Sequence, residues 1–79
     1  MIPINSRKVI NIDCRDLEPP EPMIKVLEAV HVMDDDEAVM MIHRKRPRLL
    51  FPRLEELGLK HEIKEEREDL VKILIWREV

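Results

Sequence analysis

Three prolines within four residues are the strongest constraint on how this chain can fold. Pro19, Pro20 and Pro22 separate a β-branched stretch, residues 9–13, from apolar residues at helical spacing, residues 22–33. A residue that precedes proline favours extended backbone geometry, so the cluster must end the strand and delay the helix. Pro22 itself suits the first turn of a helix, where a missing N–H costs nothing. The segment therefore predicts a strand, a stiff loop and a helix.

The rest of the chain predicts one more helix and three more strands. Residues 37–43 indicate a second strand, and residues 47–57 a second helix with proline at its start. Gly58, the only glycine, follows this helix where a positive φ is common. Residues 59–64 alternate as a third strand, and residues 71–76 are expected to pair with it as a hairpin.

This order, β-α-β-α-β-β, predicts the fold class. A β-α-β unit is expected to be right-handed, with its two strands parallel. We therefore expect an α+β fold, a two-layer α/β sandwich with a four-stranded mixed sheet and two helices on one face. A chain of 79 residues has room for one hydrophobic core, so residues 1–79 are predicted to form a single domain.

Composition and charge exclude several classes of protein. Hydrophobic residues make up 44% and charged residues 39%, which is typical of a globule and not of a disordered chain. The net charge of −3 gives no overall attraction for nucleic acid or anionic lipid. Uncharged runs are far shorter than the roughly 18 residues of a membrane helix, and the N-terminus lacks a signal-peptide pattern. One cysteine cannot form an internal disulfide, so we expect a cytoplasmic protein with no membrane association.

Residues 13–23 resemble the motif of the TusA/SirA-like sulfur-carrier superfamily, approximately Asp-x-x-Gly-Leu-x-Cys-Pro-x-Pro. The matching residues are Asp13, Leu17, Pro20, Glu21 and Pro22. The resemblance in element order covers nearly the whole chain, but Asp16 replaces the glycine and Pro19 replaces the carrier cysteine. A thiol at the first turn of a helix is stabilised as a nucleophilic thiolate, and proline offers no thiol. The resemblance therefore implies a sister family that kept the scaffold and lost the carrier residue.

Cys14 is the only thiol that could replace the missing one. It is spaced by two residues from Ile12 and by four from Ile10, so all three lie on the same face of the strand. Cys14 therefore points inward if Ile10 and Ile12 face the helices. A free cysteine more often behaves as a small buried hydrophobe than as a nucleophile. We expect a buried structural Cys14, and sulfur-transfer or redox chemistry through an exposed Cys14 is the alternative.

Residues 43–53, here called the basic stretch, suggest an anion site at the start of the second helix. The candidate binding residues are Arg44, Arg46, Arg48 and Arg53, together with Pro19, Pro20, Glu21 and Pro22 of the preceding loop. Arginine can donate two hydrogen bonds to a phosphate or carboxylate. A solvated loop that balances the acidic stretches is the simpler interpretation. Nucleic-acid binding is a weaker alternative, since only Phe51 lies nearby to stack on a base.

The fourth predicted strand has two apolar faces. Val71, Ile73 and Ile75 are assigned to the core, which leaves Leu74 and Trp76 on the face without helices. An exposed patch there would be an interface for a homodimer or another partner. The alternative is that residues 1–6 fold across it or that the patch is small.

No pattern of catalytic or metal-binding residues is apparent. The three histidines are far apart in sequence and lack the spacing of metal ligands, and we expect no metal and no cofactor. Asp34, Asp35 and Asp36 have no partner base, so acid–base catalysis has little support. The favoured hypothesis is a non-catalytic protein-interaction or regulatory module that binds a protein partner or a small anion.

Overall fold

The helices and strands occur in the predicted order β-α-β-α-β-β. The computed structural model describes residues 2–78 of the chain. After a short 3₁₀ turn at Ile4–Ser6, the elements are β1 (Lys8–Asp13), α1 (Glu21–Val32), β2 (Glu37–His43), α2 (Leu50–Glu56), β3 (Leu59–Arg67) and β4 (Leu70–Arg77).

The four strands form one mixed sheet in the order β1-β2-β4-β3. β1 and β2 are parallel, with Ile10 opposite Val39, and α1 connects them. β4 is antiparallel to both of its neighbours and forms the predicted hairpin with β3. The hairpin turn contains Asp69 at a φ of 61°, a conformation that aspartate tolerates better than most residues.

Both helices pack on the same face of the sheet, as predicted. Val39 and Met41 of β2 and Ile73 and Ile75 of β4 are fully buried on this face. They belong to one hydrophobic core with the apolar residues of the two helices, namely Val26, Val30, Leu50 and Leu54. Burial of these side chains is the main stabilising term for a domain of this size.

The opposite face of the sheet offers less apolar surface than the sequence predicts. Leu74 and Trp76 do lie on that face, because they alternate with Ile73 and Ile75 of the core. However, Leu74 lies between Met40 of β2 and Glu62 of β3 and is only 6% exposed. The hypothesis of an exposed apolar patch therefore receives no support at Leu74, and the alternative of a covered or small patch is favoured there. Trp76 is half-buried, and its Nε1–H donates to Glu78 at 3.3 Å.

Two arginines tie the ends of the chain to the helix layer. The Arg7 guanidinium is buried and donates to the carbonyl oxygens of Ile2 and, at 2.6 Å, Arg77. Arg77 in turn donates to the carbonyl oxygens of Val30 and Met33 at the C-terminal end of α1. These carbonyls have no partner within the helix, so a cationic donor there satisfies and stabilises them. The N-terminal segment is thus fixed to the end of β4.

The second helix begins later than the sequence predicts. It starts at Leu50, and Pro47 lies in the preceding turn, where its carbonyl oxygen accepts the Leu50 N–H at 2.9 Å. A helix from residue 47 would place Pro52 in its interior, where proline removes a hydrogen bond. A start at Leu50 places Pro52 in the first turn instead. Leu57, the last residue of the predicted helix, is the C-cap residue and is exposed.

Among residues 2–78, no helix has the length and apolar character needed to cross a membrane.

Gly58 provides a test of how α2 is terminated. Its φ is +72°, and a Cβ at this position would meet no atom within 4 Å. We predict that Gly58→Ala lowers the free energy of unfolding by about 1–2 kcal/mol, because only backbone strain opposes the substitution. Gly58→Asn should cost less, since asparagine adopts positive φ more readily. Chemical denaturation of the three proteins measures this order, and an alanine variant as stable as the parent would contradict it.

Candidate functional site

Two loops meet at the carboxyl ends of the parallel strands. The loop that follows β1 and the loop that follows β2 leave the sheet at the same edge, because the strands run in the same direction. The Cys14 N–H donates to the Ile42 carbonyl oxygen at 2.7 Å, which extends the parallel pairing to the start of the first loop. Such edges of α/β structures are common positions for ligand sites.

A cavity of about 540 Å³ lies between these loops. Pro19, Pro20, Pro22 and Met23 line one side, and His43 with residues 45–50 lines the other. We call this cavity the proline groove. The proline-rich loop and the basic stretch, which the sequence analysis proposed to act together, therefore share one concave surface.

Local turns shape both walls of the proline groove. In the first loop, the Leu17 N–H donates to the Cys14 carbonyl oxygen and the Glu21 N–H to that of Glu18. Pro22 is buried at the second position of α1, where the missing N–H removes no helical hydrogen bond. In the second loop, Leu50 is 1% exposed and anchors the wall in the core, while Leu49 beside it is 77% exposed. The groove is thus anchored to the hydrophobic core at its base and open to solvent at its rim.

Only part of the basic stretch supplies free charge to the proline groove. Arg46 forms a bidentate ion pair with Glu66, with distances of 2.6 and 2.7 Å. This pair raises the pKa of Arg46 and lowers the pKa of Glu66, mainly through the side-chain hydrogen bonds. Lys45 and Arg48 line the groove and have no ion pair among residues 2–78. They are the two cations of the groove that remain available to a ligand.

The structure separates the candidate residues into two groups. Pro19, Pro20, Pro22, Arg46 and Arg48 line the proline groove.

Glu21, Arg44 and Arg53 do not line the groove. Arg44 lies in a second surface cavity with Arg15, Asp16 and Asp69, and it approaches Asp16 to 3.9 Å. Phe51, the proposed nucleic-acid stacking residue, instead stacks on His61 with ring centroids 4.8 Å apart. The arrangement gives little support to nucleic-acid binding, because the aromatic ring and two of the arginines already have partners.

His43 is the groove residue that sequence reasoning missed. It is the last residue of β2 and lies on the same core-facing side of the strand as Val39 and Met41. His43 is therefore only 8% exposed. Nδ1 of His43 is buried and has no hydrogen-bond partner among residues 2–78. Burial lowers the pKa of His43, the charges of Lys45 and Arg44 lower it further, and the Cys14 backbone opposes both. The sequence signal that could have identified it is the alternation of Val39, Met41 and His43 along the predicted strand, which places the histidine on the apolar face.

Cys14 is buried, and the structure contradicts the alternative of an exposed, reactive thiol. The residue is 0% exposed, and its Sγ lies 3.9 and 4.0 Å from the carbonyl oxygens of Ile12 and Pro22. Burial raises the pKa of the Cys14 thiol, and the negative charge of Asp13 raises it further. Sulfur or redox chemistry requires an accessible thiolate, which this environment disfavours.

Among residues 2–78, one acidic cluster has the spacing that could hold a cation. Carboxylate oxygens of Asp34, Asp36 and Glu37 lie within 4.8 Å of one another at the turn between α1 and β2. Glu37 Oε1 accepts the Asp34 N–H at 2.8 Å, and the Glu37 N–H donates to the Asp34 carbonyl oxygen. The cluster therefore closes a turn, which explains its spacing without a metal.

The fold and the groove define a small two-layer α+β domain with a cationic, apolar-walled cavity at the ends of its parallel strands. The chain belongs to the family described as uncharacterized conserved protein (DUF2249), whose family model matches residues 11–77. This match runs from the second half of β1 to the end of β4 and includes both loops of the proline groove. No curated protein and no solved structure matches the chain.

The burial of Cys14 can be tested by alkylation. We predict that iodoacetamide labels the native protein at least about 100-fold more slowly than the denatured protein between pH 5 and 9, because labelling requires opening of the structure. Mass spectrometry measures the rates, and Cys14→Ser is the blank. Rapid native labelling with an apparent pKa below about 8.5 would contradict the prediction and restore thiol chemistry as a function.

The environment of His43 predicts a pH dependence of stability. Because the pKa of His43 in the folded state lies below its ordinary value of 6.5, the unfolded chain binds more protons than the folded chain as the pH falls through 6.5. The contribution of His43 to the free energy of unfolding should therefore be fully present above pH 6.5. It should be lost progressively as the pH falls from 6.5 to the lower pKa of the folded state. Asp13 and Glu66, whose pKa values are also lowered, should decrease stability only below their ordinary values of 3.8 and 4.5.

Imidazole NMR titration measures the His43 pKa directly. Between pH 7 and pH 5.5, the free energy of unfolding of His43→Gln should decrease less than that of the parent protein, as chemical denaturation at both pH values would measure. A His43 pKa at or above 6.5 would contradict the buried environment.

Proposed function

We propose that this domain is a non-catalytic binding module that holds an anionic ligand, either a small organic anion or an acidic segment of a protein partner, in the proline groove. The observation that carries the proposal is the combination of an apolar wall with two unpaired cations, Lys45 and Arg48. An apolar surface gives affinity through burial, and the cations select for negative charge.

A binding role accounts better for the groove than a catalytic one does. In the part of the chain that the structure describes, the groove contains one titratable group near neutrality, His43, and no nucleophile beside it. Cys14 is buried, and Pro19 occupies the position of the carrier cysteine in the resembling motif. Regulation or assembly through a bound partner requires neither a nucleophile nor an accessible thiol.

Kinship with TusA/SirA-like sulfur carriers is part of the same proposal. The element order and the residues Asp13, Leu17, Pro20 and Pro22 support it. On this interpretation, the surface that once presented a carrier thiol was retained for recognition. We infer a cytoplasmic site of action from the single cysteine, because a free thiol is typical of a reducing compartment.

The proposal predicts that charge at the groove controls affinity. Phenylacetate and a short acidic peptide with apolar residues are the probes, and two-dimensional NMR titration gives their dissociation constants. The double variant Lys45→Gln/Arg48→Gln should bind the favoured probe about 5-fold to 10-fold more weakly, since two partly exposed ion pairs are lost. High salt should weaken binding to the parent protein as well.

Arg53→Gln is the control for loss of positive charge outside the groove, because Arg53 is an exposed residue of α2 that does not line the groove. Its affinity should equal that of the parent protein. If neither probe binds the parent, or if the double variant and the control bind equally well, the proposed function is wrong.

A further inference from the structure

The outer side of β1 is an edge of the sheet that no other strand covers. The order β1-β2-β4-β3 leaves one side of β1 unpaired among residues 2–78. The N–H groups of Lys8 and Cys14 donate towards β2, at 2.8 and 2.7 Å, and the two strands keep one register between these points. Successive residues of a strand alternate in direction, so the main-chain groups of Val9, Asn11 and Asp13 point away from β2.

These outward groups are open to solvent. Val9, Asn11 and Asp13 are all exposed, and in the described part of the chain their main-chain N–H and C=O groups have no main-chain partner outside the sheet. The segment before β1 is directed towards β4, because the Arg7 guanidinium donates at 2.6 Å to the Arg77 carbonyl oxygen. The edge of β1 is therefore available to another strand.

The two edges of the sheet differ in how strongly they oppose the addition of a strand. β3, the other edge, has the sequence LKHEIKEER, which is mostly charged, and its register shifts between Ile63 and Glu65. Charged side chains and bulges are the usual features that keep an edge strand from pairing with another chain. β1 has no proline and no register shift, and Val9–Ile12 is uncharged. β1 is thus the edge suited to pairing.

We propose that β1 pairs with β1 of a second copy of this chain, antiparallel and centred on Asn11, so that one continuous sheet crosses a twofold-symmetric dimer. In this register Asn11 faces Asn11, and Val9 faces Asp13 of the second copy. Each such pair exchanges two main-chain hydrogen bonds, about six in total. The contact closes on itself, whereas pairing of β1 with β3 of another copy would leave free edges and extend into a fibre.

The side chains of β1 complement one another in this register. On the helix side Ile10 faces Ile12 of the second copy, and both are half-buried, with apolar surface left to cover. On the other side Asn11 faces its own copy, and an amide can both donate and accept. Asp13 faces an apolar residue, and Arg15 already neutralises its carboxylate at 3.0 and 2.8 Å. No like charges are opposed, which is why the edge is assigned to a second copy and not to a segment of another protein.

The dimer leaves the proline groove free. No residue of β1 lines the groove, and antiparallel pairing places the two grooves at opposite ends of the joined sheet. The inference therefore goes beyond the proposed function and is tested separately from it. One short strand from each copy makes a small contact, so we expect a weak dimer with a dissociation constant of about 10–300 μM.

Sedimentation equilibrium and NMR of the parent protein test the dimer without any substitution. Raising the concentration from about 10 μM to about 1 mM should increase the average mass towards that of a dimer. The amide resonances of Val9, Asn11 and Asp13 should shift, because their N–H groups gain partners. The amides of Ile10 and Ile12 face β2 and should shift less. Mixed labelled and unlabelled protein should give an intermolecular NOE between the Hα atoms of Ile10 and Ile12, which approach closely in this register.

Substitution of Asn11 tests the register. Asn11→Lys and Asn11→Glu each place two like charges at the twofold axis, so each should weaken the dimer about 3-fold to 10-fold. An equimolar mixture of the two variants should associate more tightly than either alone, because opposite charges then face each other. Glu62→Gln is the control. It changes the charge by the same amount as Asn11→Lys, in the same row of the same sheet face but on β3, and should leave the dissociation constant unchanged.

Three results would overturn the proposal. One is a parent protein that remains a monomer at about 1 mM, which would leave the edge to an extended segment of another protein. Another is a dimer that Asn11→Lys and Asn11→Glu leave intact, or that Glu62→Gln weakens equally, since the contact would then lie elsewhere. The third is a mixture of the two Asn11 variants that associates no better than each alone. If a variant fails to fold, the intermolecular NOE of the parent protein decides.

Discussion

The parallel pairing of β1 and β2 is the interaction on which the candidate site depends. It places the ends of both strands at one edge of the sheet, and the Cys14–Ile42 hydrogen bond of 2.7 Å fixes the point where the first loop departs. The two loops that follow would lie at opposite edges if the strands were antiparallel. The helix α1 that makes the crossover also covers the core face and buries Cys14. Fold and groove thus have the same origin.

The character of the groove follows from which side chains already have partners. Arg46 neutralises Glu66, Arg44 approaches Asp16, and Phe51 stacks on His61, so these residues help to fix the loops and the strands beside them. Lys45, Arg48 and His43 Nδ1 remain without protein partners in the described part of the chain. The proline loop adds an apolar wall that loses little conformational entropy on binding, since proline is already restricted.

Most of the fold could be predicted from the sequence, whereas only part of the site could. Strand β2 was predicted with its exact bounds, because apolar periodicity and the three aspartates before it leave few alternatives. The start of α2 was missed because two prolines competed for the first turn, and tertiary packing of Leu50 decided between them. The pairing of Arg46 with Glu66 and the exposure of Leu74 depend on neighbours distant in sequence, so no local pattern reveals them. His43 was missed because its position on the buried face of β2 can be recognised only once the strand order is known.

The most direct test of the account is the position of a bound acid in the protein. Intermolecular NOEs from the ring protons of bound phenylacetate to selectively labelled methyl groups locate it without any substitution. The account predicts NOEs to the methyl groups of Met23, Leu49 and Leu50, which line the groove. It predicts none to Val9 or Leu57, which are exposed but lie elsewhere. NOEs to Val9 or Leu57 alone would show that binding occurs at another surface and would contradict the central claim.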